Sequence, residues 1–153
     1  MATHPYLHFQ GTCAEALAFY ADALGGTDLT VMHYGEEPDA PDHLKGSPLV
    51  MHGQLRIGEG LLMASDFPPW AEGEAQKGVS VMQTFPDAEA LRAAFDRLSG
   101  GGEVIQAPRP TFFAPAFAML RDRFGTHWIL SAEPEAGALD MDMDEAEPEA
   151  HPT

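Results

Sequence analysis

Two segments of the chain, AEALAFYADALGG at residues 14–26 and AEALRAAFDRLSGG at residues 88–101, carry nearly the same pattern. With a constant offset of 74 and no gap, seven positions are identical, from Ala14 with Ala88 to Gly26 with Gly100. Each segment spaces its apolar residues for one face of a helix and ends in glycine, which commonly terminates helices. Since self-similarity at a fixed offset indicates a repeated structural unit, the flanking sequence tests whether the chain is duplicated.

The sequence around each helix also repeats. In the first half, YLHFQ, TDLTVMHY, LVMHGQLRIG and GLLMASD predict four strands around a helix at residues 13–24, the last two forming a hairpin. In the second half, GVSVMQTF, EVIQ, AFAMLRD and THWILS predict four strands around a helix opened by Pro86-Asp87. Both halves therefore have the order βαβββ. The sequence predicts an α+β fold of two tandem modules, one at about residues 4–74 and one at about 75–132.

Apolar periodicity predicts which faces are buried. The expected buried stripes are Leu17, Ala21 and Leu24 in the first helix, and Leu91, Phe95 and Leu98 in the second. On the first strand, packing against the helix favours Leu7 and Phe9 on the inner face. Because side chains alternate along a strand, His4, Tyr6 and His8 are then expected on the opposite face.

Composition places the body of the chain among single-domain globular proteins. The chain has 153 residues, of which 44% are hydrophobic, and no apolar run approaches the roughly 20 residues of a membrane-spanning helix. The formal net charge of −16 disfavours nucleic acid, whose phosphates are bound by Lys and Arg. Because MATHPYLHF lacks the layout of a signal peptide, we expect a cytoplasmic protein with no membrane partner.

The negative charge is concentrated at the C-terminus. Residues 133–153 contain eight of the 24 acidic residues and neither Lys nor Arg. They mix acids with Ala and Pro and bury too little apolar surface to offset the entropy of ordering. We therefore expect a domain at residues 1–132 followed by a disordered acidic tail at residues 133–153. The acidic surface favours a cationic ligand over an anionic one.

The single cysteine, Cys13, excludes an internal disulfide and a cysteine-rich metal site. It lies at the start of the first predicted helix. We interpret it as a structural, unreactive thiol.

Three stretches and their order resemble a known family. They are PYLHFQGTCAEALAFYADALGG, VMHGQLRIGEGLLMASD and TFFAPAFAMLRDRFGTHW, with the motifs Phe19-Tyr20, Ser65-Asp66 and Asp122-x-Phe-Gly-x-x-Trp128. Together with the tandem βαβββ order, they resemble the PhnB-like branch of the vicinal oxygen chelate superfamily, which includes glyoxalases, extradiol dioxygenases and bleomycin resistance proteins. The resemblance covers about residues 4–132. It implies a glyoxalase-like open barrel with a shared cleft, commonly within a homodimer.

Metal-dependent members of this superfamily direct His, Glu or Gln from four strands at one divalent ion. Carried over to this sequence, the resemblance places the four positions at Pro5 or His4, at Met63 or Ser65, at Val79, and at Ile129. Since Met, Ser, Val and Ile do not replace carboxylate and imidazole, we expect no metal at this site and no other cofactor. A divergent divalent-metal site built from His4, His52 and His127, with His8 as the alternative to His4, stays open, because three imidazoles suffice for zinc.

The ligand-binding residues expected in the cleft are His52, Gln54, Ser65, Phe113 and His127. Alternation on the third strand places His52 and Gln54 away from the helix, and His52 matches a His common at this point in PhnB-like sequences. Ser65 follows on the next strand, but no serine has the base and orienting group of a nucleophilic triad. Phe113 is expected at the pocket mouth or in core or dimer packing, and His127 on the eighth strand can face the cleft.

Three other residues near the expected cleft are interpreted as structural or as cover. Asp66 is expected to cap or brace the loop FPPW rather than to perform chemistry. Trp70, at the end of that loop, is a candidate lid residue, whereas Trp128 in the last strand is expected in the core.

Three functions stay open at this point. The first is a metal-free homodimer that binds a small organic ligand in its cleft, as resistance proteins do. The second is a metal-dependent lyase, isomerase or dioxygenase-like enzyme with the divergent histidine site. The third is a structural or regulatory dimer without a ligand. The catalytic residues of the enzyme case are unknown, because its carboxylate base is missing from the expected strands.

Overall fold

The computed structural model describes residues 1–135, so most of the predicted tail, residues 136–153, lies outside the described residues. The elements are, in chain order, β1 (Tyr6–Phe9), α1 (Cys13–Leu24), β2 (Thr27–His33), β3 (Val50–Ile57), β4 (Gly60–Asp66), β5 (Val81–Phe85), α2 (Ala88–Leu98), β6 (Glu103–Arg109), β7 (Phe117–Arg121) and β8 (His127–Ala132). Across residues 1–135, no helix has the length and apolar character needed to span a membrane.

The strands form two four-stranded sheets with the same topology. The N-terminal sheet has the order β1-β4-β3-β2, and the C-terminal sheet has the order β5-β8-β7-β6. In both sheets the first strand of the module pairs in parallel with the last, and the other pairs are antiparallel. The predicted α+β fold of two tandem βαβββ modules is confirmed. Between residues 1 and 135 no strand pairing joins the two sheets, so they do not close into a barrel.

Two segments differ in detail from the sequence expectation. The long loop after β2 contains a short 3-10 helix at Asp42–Leu44, and Leu44 is buried there. Strand β6 continues past the predicted EVIQ and includes Pro108. A proline is tolerated because β6 is an edge strand, where an amide is not needed on the outer side.

Helix α1 presents a different face to the core from the one predicted. Its buried residues are Cys13, Ala16, Leu17, Tyr20 and Ala23, whereas Ala21 and Leu24 are partly buried. The stripe is rotated toward Tyr20, whose side chain is fully buried. Helix α2 buries Leu91, Phe95 and Leu98 as predicted, together with Ala94.

The N-terminus of α1 is capped from another strand. Thr12 makes no capping hydrogen bond. Instead, Oδ1 of Asp66, at the end of β4, accepts hydrogen bonds from the amides of Gly11 at 2.8 Å and Cys13 at 3.0 Å. Oδ2 accepts from the amide of Val50, the first residue of β3, at 2.8 Å. Within residues 1–135, the Asp66 side chain therefore caps α1 and holds the start of β3, and, contrary to the sequence expectation, it makes no hydrogen bond to the FPPW loop.

A buried carboxylate joins the two modules. Oδ2 of Asp122, just after β7, accepts hydrogen bonds from the hydroxyl of Tyr20 at 2.6 Å and the indole of Trp128 at 2.8 Å. Its Oδ1 accepts from the amides of Phe124 at 2.8 Å and Thr126 at 3.1 Å. Since Tyr20 lies in the first module and the other residues in the second, this network fixes α1 against the C-terminal sheet. Burial, followed by the charge of Asp122, raises the pKa of Tyr20.

Candidate functional site

Five polar side chains share the face of the N-terminal sheet that points away from α1. On β1, Leu7 and Phe9 are buried and Tyr6 and His8 are exposed, as the sequence predicts. The sheet register places Tyr6 opposite Met63, His8 opposite Ser65, and Gln54 opposite Met63. These residues thus lie on one surface. The polar cluster consists of Tyr6, His8, His52, Gln54 and Ser65.

Hydrogen bonds join the cluster into two groups. The Nδ1 atom of His52 lies 2.9 Å from the hydroxyl of Tyr6, and its Nε2 atom lies 3.3 Å from Oε1 of Gln54. In the neutral tautomer with the proton on Nε2, the ring donates to Gln54 and accepts from Tyr6. The Nδ1 atom of His8 lies 3.3 Å from Oγ of Ser65. The Tyr6 oxygen and the Gln54 amide nitrogen keep capacity for further hydrogen bonds.

Four rings of this face form a continuous row. The ring centroids of His52 and Tyr6 are 5.6 Å apart, those of Tyr6 and His8 are 5.2 Å apart, and those of His8 and Phe67 are 5.3 Å apart. These separations lie in the range in which aromatic pairs attract each other. The row runs from β3 across β1 to the residue that follows β4.

A pocket of about 220 Å³ lies at one end of this row, between the two modules. Its lining includes Tyr6 and His8 from β1, Phe67, Val81 from β5, and residues 74–77 of the connection between the modules. We call it the inter-module pocket. It brings part of the polar cluster together with residues of the second module.

The equivalent face of the C-terminal sheet is mainly apolar. Phe117 and Met119 on β7 alternate with buried Ala118 and Leu120, and they pair with Ser131 and Ile129 on β8. Met82, opposite Ile129 on β5, is 55% exposed. The fully exposed ring of Phe112 and the half-exposed ring of Phe113 continue this surface toward Phe117, with centroids 5.1 Å and 5.3 Å apart. The apolar face consists of Met82, Phe112, Phe113, Phe117, Met119 and Ile129.

One polar group of the C-terminal sheet is buried without a partner among the described residues. Within residues 1–135, the side-chain nitrogen of Gln106 on β6 has no hydrogen-bond partner. Gln106 pairs with Met119 in the sheet register, next to the apolar face. Buried polar groups in native proteins are generally satisfied, so this amide marks a place where a bound group or water would be stabilised.

The structure brings together three of the five predicted ligand-binding residues. His52, Gln54 and Ser65 belong to the polar cluster, and Ser65 is buried. Phe113 and His127 belong to the second module, and in the described part of the chain no hydrogen bond joins them to the cluster. Their roles in binding stay predictions.

The structure also shows where the candidate lid residue Trp70 and the predicted core residues Trp128 and Cys13 lie. Trp70 is 69% exposed and packs edge-on against Tyr34, with ring centroids 5.8 Å apart. Trp128 is buried in the core, as predicted, and Cys13 is fully buried. Burial, followed by the charge of Asp66, raises the pKa of the Cys13 thiol to about 12, which keeps it in the unreactive protonated form.

The positions that hold a metal in the superfamily do not fit one here. Met63 and Ile129 are half-buried on the two sheet faces, and Val79 is exposed before β5. Their thioether and alkyl groups are poor ligands for a hard divalent ion. His4, the alternative position on the first strand, lies exposed before β1. From residue 1 to residue 135 no three His, Cys, Asp or Glu side chains are grouped to hold a metal, so His4, His52 and His127 do not converge.

Sequence reasoning named His8 only as an alternative metal ligand and did not select Tyr6, Phe67 or Gln106 as binding residues. The alternation on β1 was the available signal for Tyr6 and His8, since it placed both on the correct face. Phe67 and Gln106 had no comparable signal. The position of Phe67 depends on where the chain turns after β4. The interest of Gln106 depends on an unsatisfied hydrogen bond, which only the structure shows.

Comparison with known proteins agrees with this architecture. Residues 4–130 match the family model described as Glyoxalase/Bleomycin resistance protein/Dioxygenase superfamily. The chain is 30% identical to Protein YjdN of Escherichia coli K12 over 141 residues, which cover 86% of this chain and 95% of that protein.

Two solved structures are similar to this chain. The protein PA1353 from Pseudomonas aeruginosa has a TM-score of 0.78 and 36% identity, covering 87% of this chain and 98% of that one. The PhnB protein from Bacillus cereus has a TM-score of 0.67 and 20% identity, covering 86% and 99%. The match over nearly all of both modules leads to one conclusion: the chain belongs to the glyoxalase/bleomycin resistance protein/dioxygenase superfamily and is similar to its PhnB-like proteins.

Proposed function

We propose that this protein is a metal-free homodimer that binds a small organic ligand on the polar cluster and in the adjoining inter-module pocket. The observation that carries the proposal is the polar cluster itself. Its side chains are hydrogen-bonded to one another on one sheet face, and all of them except the buried Ser65 are exposed or partly exposed. Convergent polar groups beside a mainly apolar pocket are typical of small-molecule sites.

The metal-free character is supported by the donor set. A divalent ion of this superfamily takes imidazole and carboxylate ligands, and the corresponding positions hold Met63 or Ser65, Val79 and Ile129. The histidines of the polar cluster have other partners, since His52 is bonded to Tyr6 and Gln54, and His8 to Ser65. Binding is therefore expected to rest on hydrogen bonds and ring contacts.

The homodimer is supported by the apolar face. Met82 and Phe113 are each about half exposed and Phe112 is fully exposed, although all three belong to one continuous surface. Contiguous apolar surface of this kind usually marks an interaction site. A second copy of the chain would cover it, and the expected mass in solution is twice the 16.5 kDa of one chain.

A thermal-shift screen with cationic and aromatic compounds tests the ligand. At a concentration 100 times its Kd, a ligand raises stability by about 2.7 kcal/mol, which corresponds to a Tm increase of roughly 5–10 °C for a domain of this size. His52→Ala is expected to abolish most of that shift, because it removes the centre of the cluster. The unliganded Tm is expected to change little, since the Tyr6–His52 hydrogen bond is solvent-exposed.

His43→Ala is the matched control, because His43 lies in the short 3-10 helix and takes no part in the polar cluster. It is expected to keep the full ligand-induced shift. Equal shifts in the wild type and the His52→Ala variant would contradict the assignment of the site. A screen without any hit would contradict ligand binding as the function.

A further inference from the structure

We propose that the ligand of the inter-module pocket is a single flat ring with a short zwitterionic side chain, bearing one ammonium and one carboxylate group. This inference rests on the proposed ligand-binding function and names the ligand class. Its three supports are the size of the pocket, the row of rings along it, and the two charges at its mouth.

The pocket volume favours a ligand with one ring. About 220 Å³ is available between the two modules. Pockets for drug-sized molecules measure about 300–1,000 Å³. One six-membered ring with a two- or three-carbon side chain therefore suits the pocket better than a fused polycyclic compound does.

The row of rings favours a flat, aromatic ligand. Tyr6, His8 and Phe67 all line the pocket, and neighbouring rings among them are 5.2 Å and 5.3 Å apart. An aromatic ligand can make the same kind of contact with these rings, because the positive edge of one ring attracts the negative face of the next. A ligand ring placed beside His8 or Tyr6 extends the row. The remaining lining includes Val79 and Val81, which add apolar contact.

The charges at the pocket mouth favour a zwitterion. Glu74 and Lys77 both line the pocket and both are exposed. Among the six ion pairs formed by residues 1–135, neither side chain takes part. The pocket therefore offers one negative and one positive group, three residues apart on the same connection. A ligand with an ammonium and a carboxylate complements both, whereas a purely cationic ligand leaves Lys77 facing a like charge.

Isothermal titration with five small probes tests the ligand class. L-phenylalanine carries the ring and both charges, phenethylamine lacks the carboxylate, and 3-phenylpropionate lacks the ammonium. L-cyclohexylalanine replaces the flat ring, and L-leucine removes it. L-phenylalanine is expected to bind about two- to fivefold more tightly than either singly charged probe, as exposed ion pairs allow. It is expected to bind about two- to tenfold more tightly than L-cyclohexylalanine, as ring–ring contacts allow.

Two charge variants assign each preference to a residue. Lys77→Gln is expected to remove the preference for L-phenylalanine over phenethylamine and to leave the preference over 3-phenylpropionate. Glu74→Gln is expected to do the reverse. Lys45→Gln is the matched control, since Lys45 is paired with Asp42 and does not line the pocket. It is expected to preserve both preferences.

The outcomes separate this inference from the proposed function. If screening hits bind but none of the ring probes does, or if singly charged rings bind as tightly as L-phenylalanine, the zwitterion inference is overturned and the proposed function stands. Preferences that survive both Lys77→Gln and Glu74→Gln overturn it as well. If no compound of the wider screen binds, both fail together.

Discussion

Replacing Asp122 with alanine is expected to lower the free energy of unfolding by about 4–5 kcal/mol, the largest effect we predict for a single substitution. The carboxylate is 2% exposed and accepts four hydrogen bonds, two from backbone amides and two from Tyr20 and Trp128. Alanine leaves the two amides and the indole without this acceptor, whereas the Tyr20 hydroxyl keeps Thr126 Oγ1 at 3.0 Å. Each unsatisfied donor costs about 1–3 kcal/mol. The measurement is chemical denaturation at pH 7.

Two conservative variants divide this effect. Asp122→Asn keeps one oxygen for the amides of Phe124 and Thr126 but presents an N–H to the indole of Trp128, so a loss of about 2–3 kcal/mol is expected. Tyr20→Phe removes the contacts of the hydroxyl with Asp122 at 2.6 Å and with Thr126 at 3.0 Å, and is expected to cost about 1–2 kcal/mol. Asp96→Asn, on the exposed side of α2, is the control and should change stability by less than about 0.5 kcal/mol. A loss below about 1 kcal/mol for Asp122→Ala would show that the carboxylate does not hold the modules together.

Replacing Asp66 with alanine is expected to lower the free energy of unfolding by about 3–4 kcal/mol. Its 1% exposed carboxylate accepts from the amides of Gly11, Cys13 and Val50. Those amides lie at the starts of α1 and β3, where no other acceptor replaces it among the described residues. Asp87→Ala provides a comparison, because Asp87 is an ordinary, exposed cap of α2 and its loss is expected to cost about 1 kcal/mol.

The reactivity of the Cys13 thiol gives a second, independent test of the role of Asp66. Burial is the larger cause of its raised pKa of about 12, and the charge of Asp66 is the smaller. Asp66→Asn is therefore expected to lower the pKa of Cys13 only in part, so that the folded variant still reacts slowly with a thiol reagent at pH 8. Rapid reaction of folded wild-type protein, or equal stability of the Asp66→Ala and Asp87→Ala variants, would contradict this account of Asp66.

The fold was predictable because its signals are local. Apolar periodicity and a terminal glycine set the ends of α1, and Gly25 adopts the left-handed conformation at its C-terminus. Apolar packing against the helix, combined with strand alternation, placed Leu7 and Phe9 inside and Tyr6 outside. The internal repeat then supplied the second module, since the order of elements in one half predicts the order in the other.

The roles of the buried polar residues were not predictable in the same way. Tyr20 can face the core because its hydroxyl donates a hydrogen bond to Asp122, and Asp122 lies 102 residues further along the chain. Asp66 caps a helix that begins 53 residues before it. Contacts between such distant positions leave no periodicity in the sequence. The motifs that marked the family, Phe19-Tyr20, Ser65-Asp66 and the Asp122 to Trp128 stretch, thus include the main hydrogen bonds of the core.

The candidate site was predictable from the sequence only in part. Its N-terminal half follows from strand alternation, which placed His52 and Gln54 on the correct face. Its pocket depends on the connection at residues 74–77 and on Phe67, whose positions are set by the packing of the modules. Phe113 and His127 remain predicted ligand-binding residues of the second module.

The proposed function requires that the protein recognise its ligand by hydrogen bonds and ring contacts in place of a coordinated ion. The most direct measurement is the metal content of protein purified without chelator, combined with titration of the strongest screening hit before and after treatment with a chelator. We predict transition metal far below one ion per chain and the same Kd in both titrations. One tightly held ion per chain, with binding lost on its removal, would contradict the account.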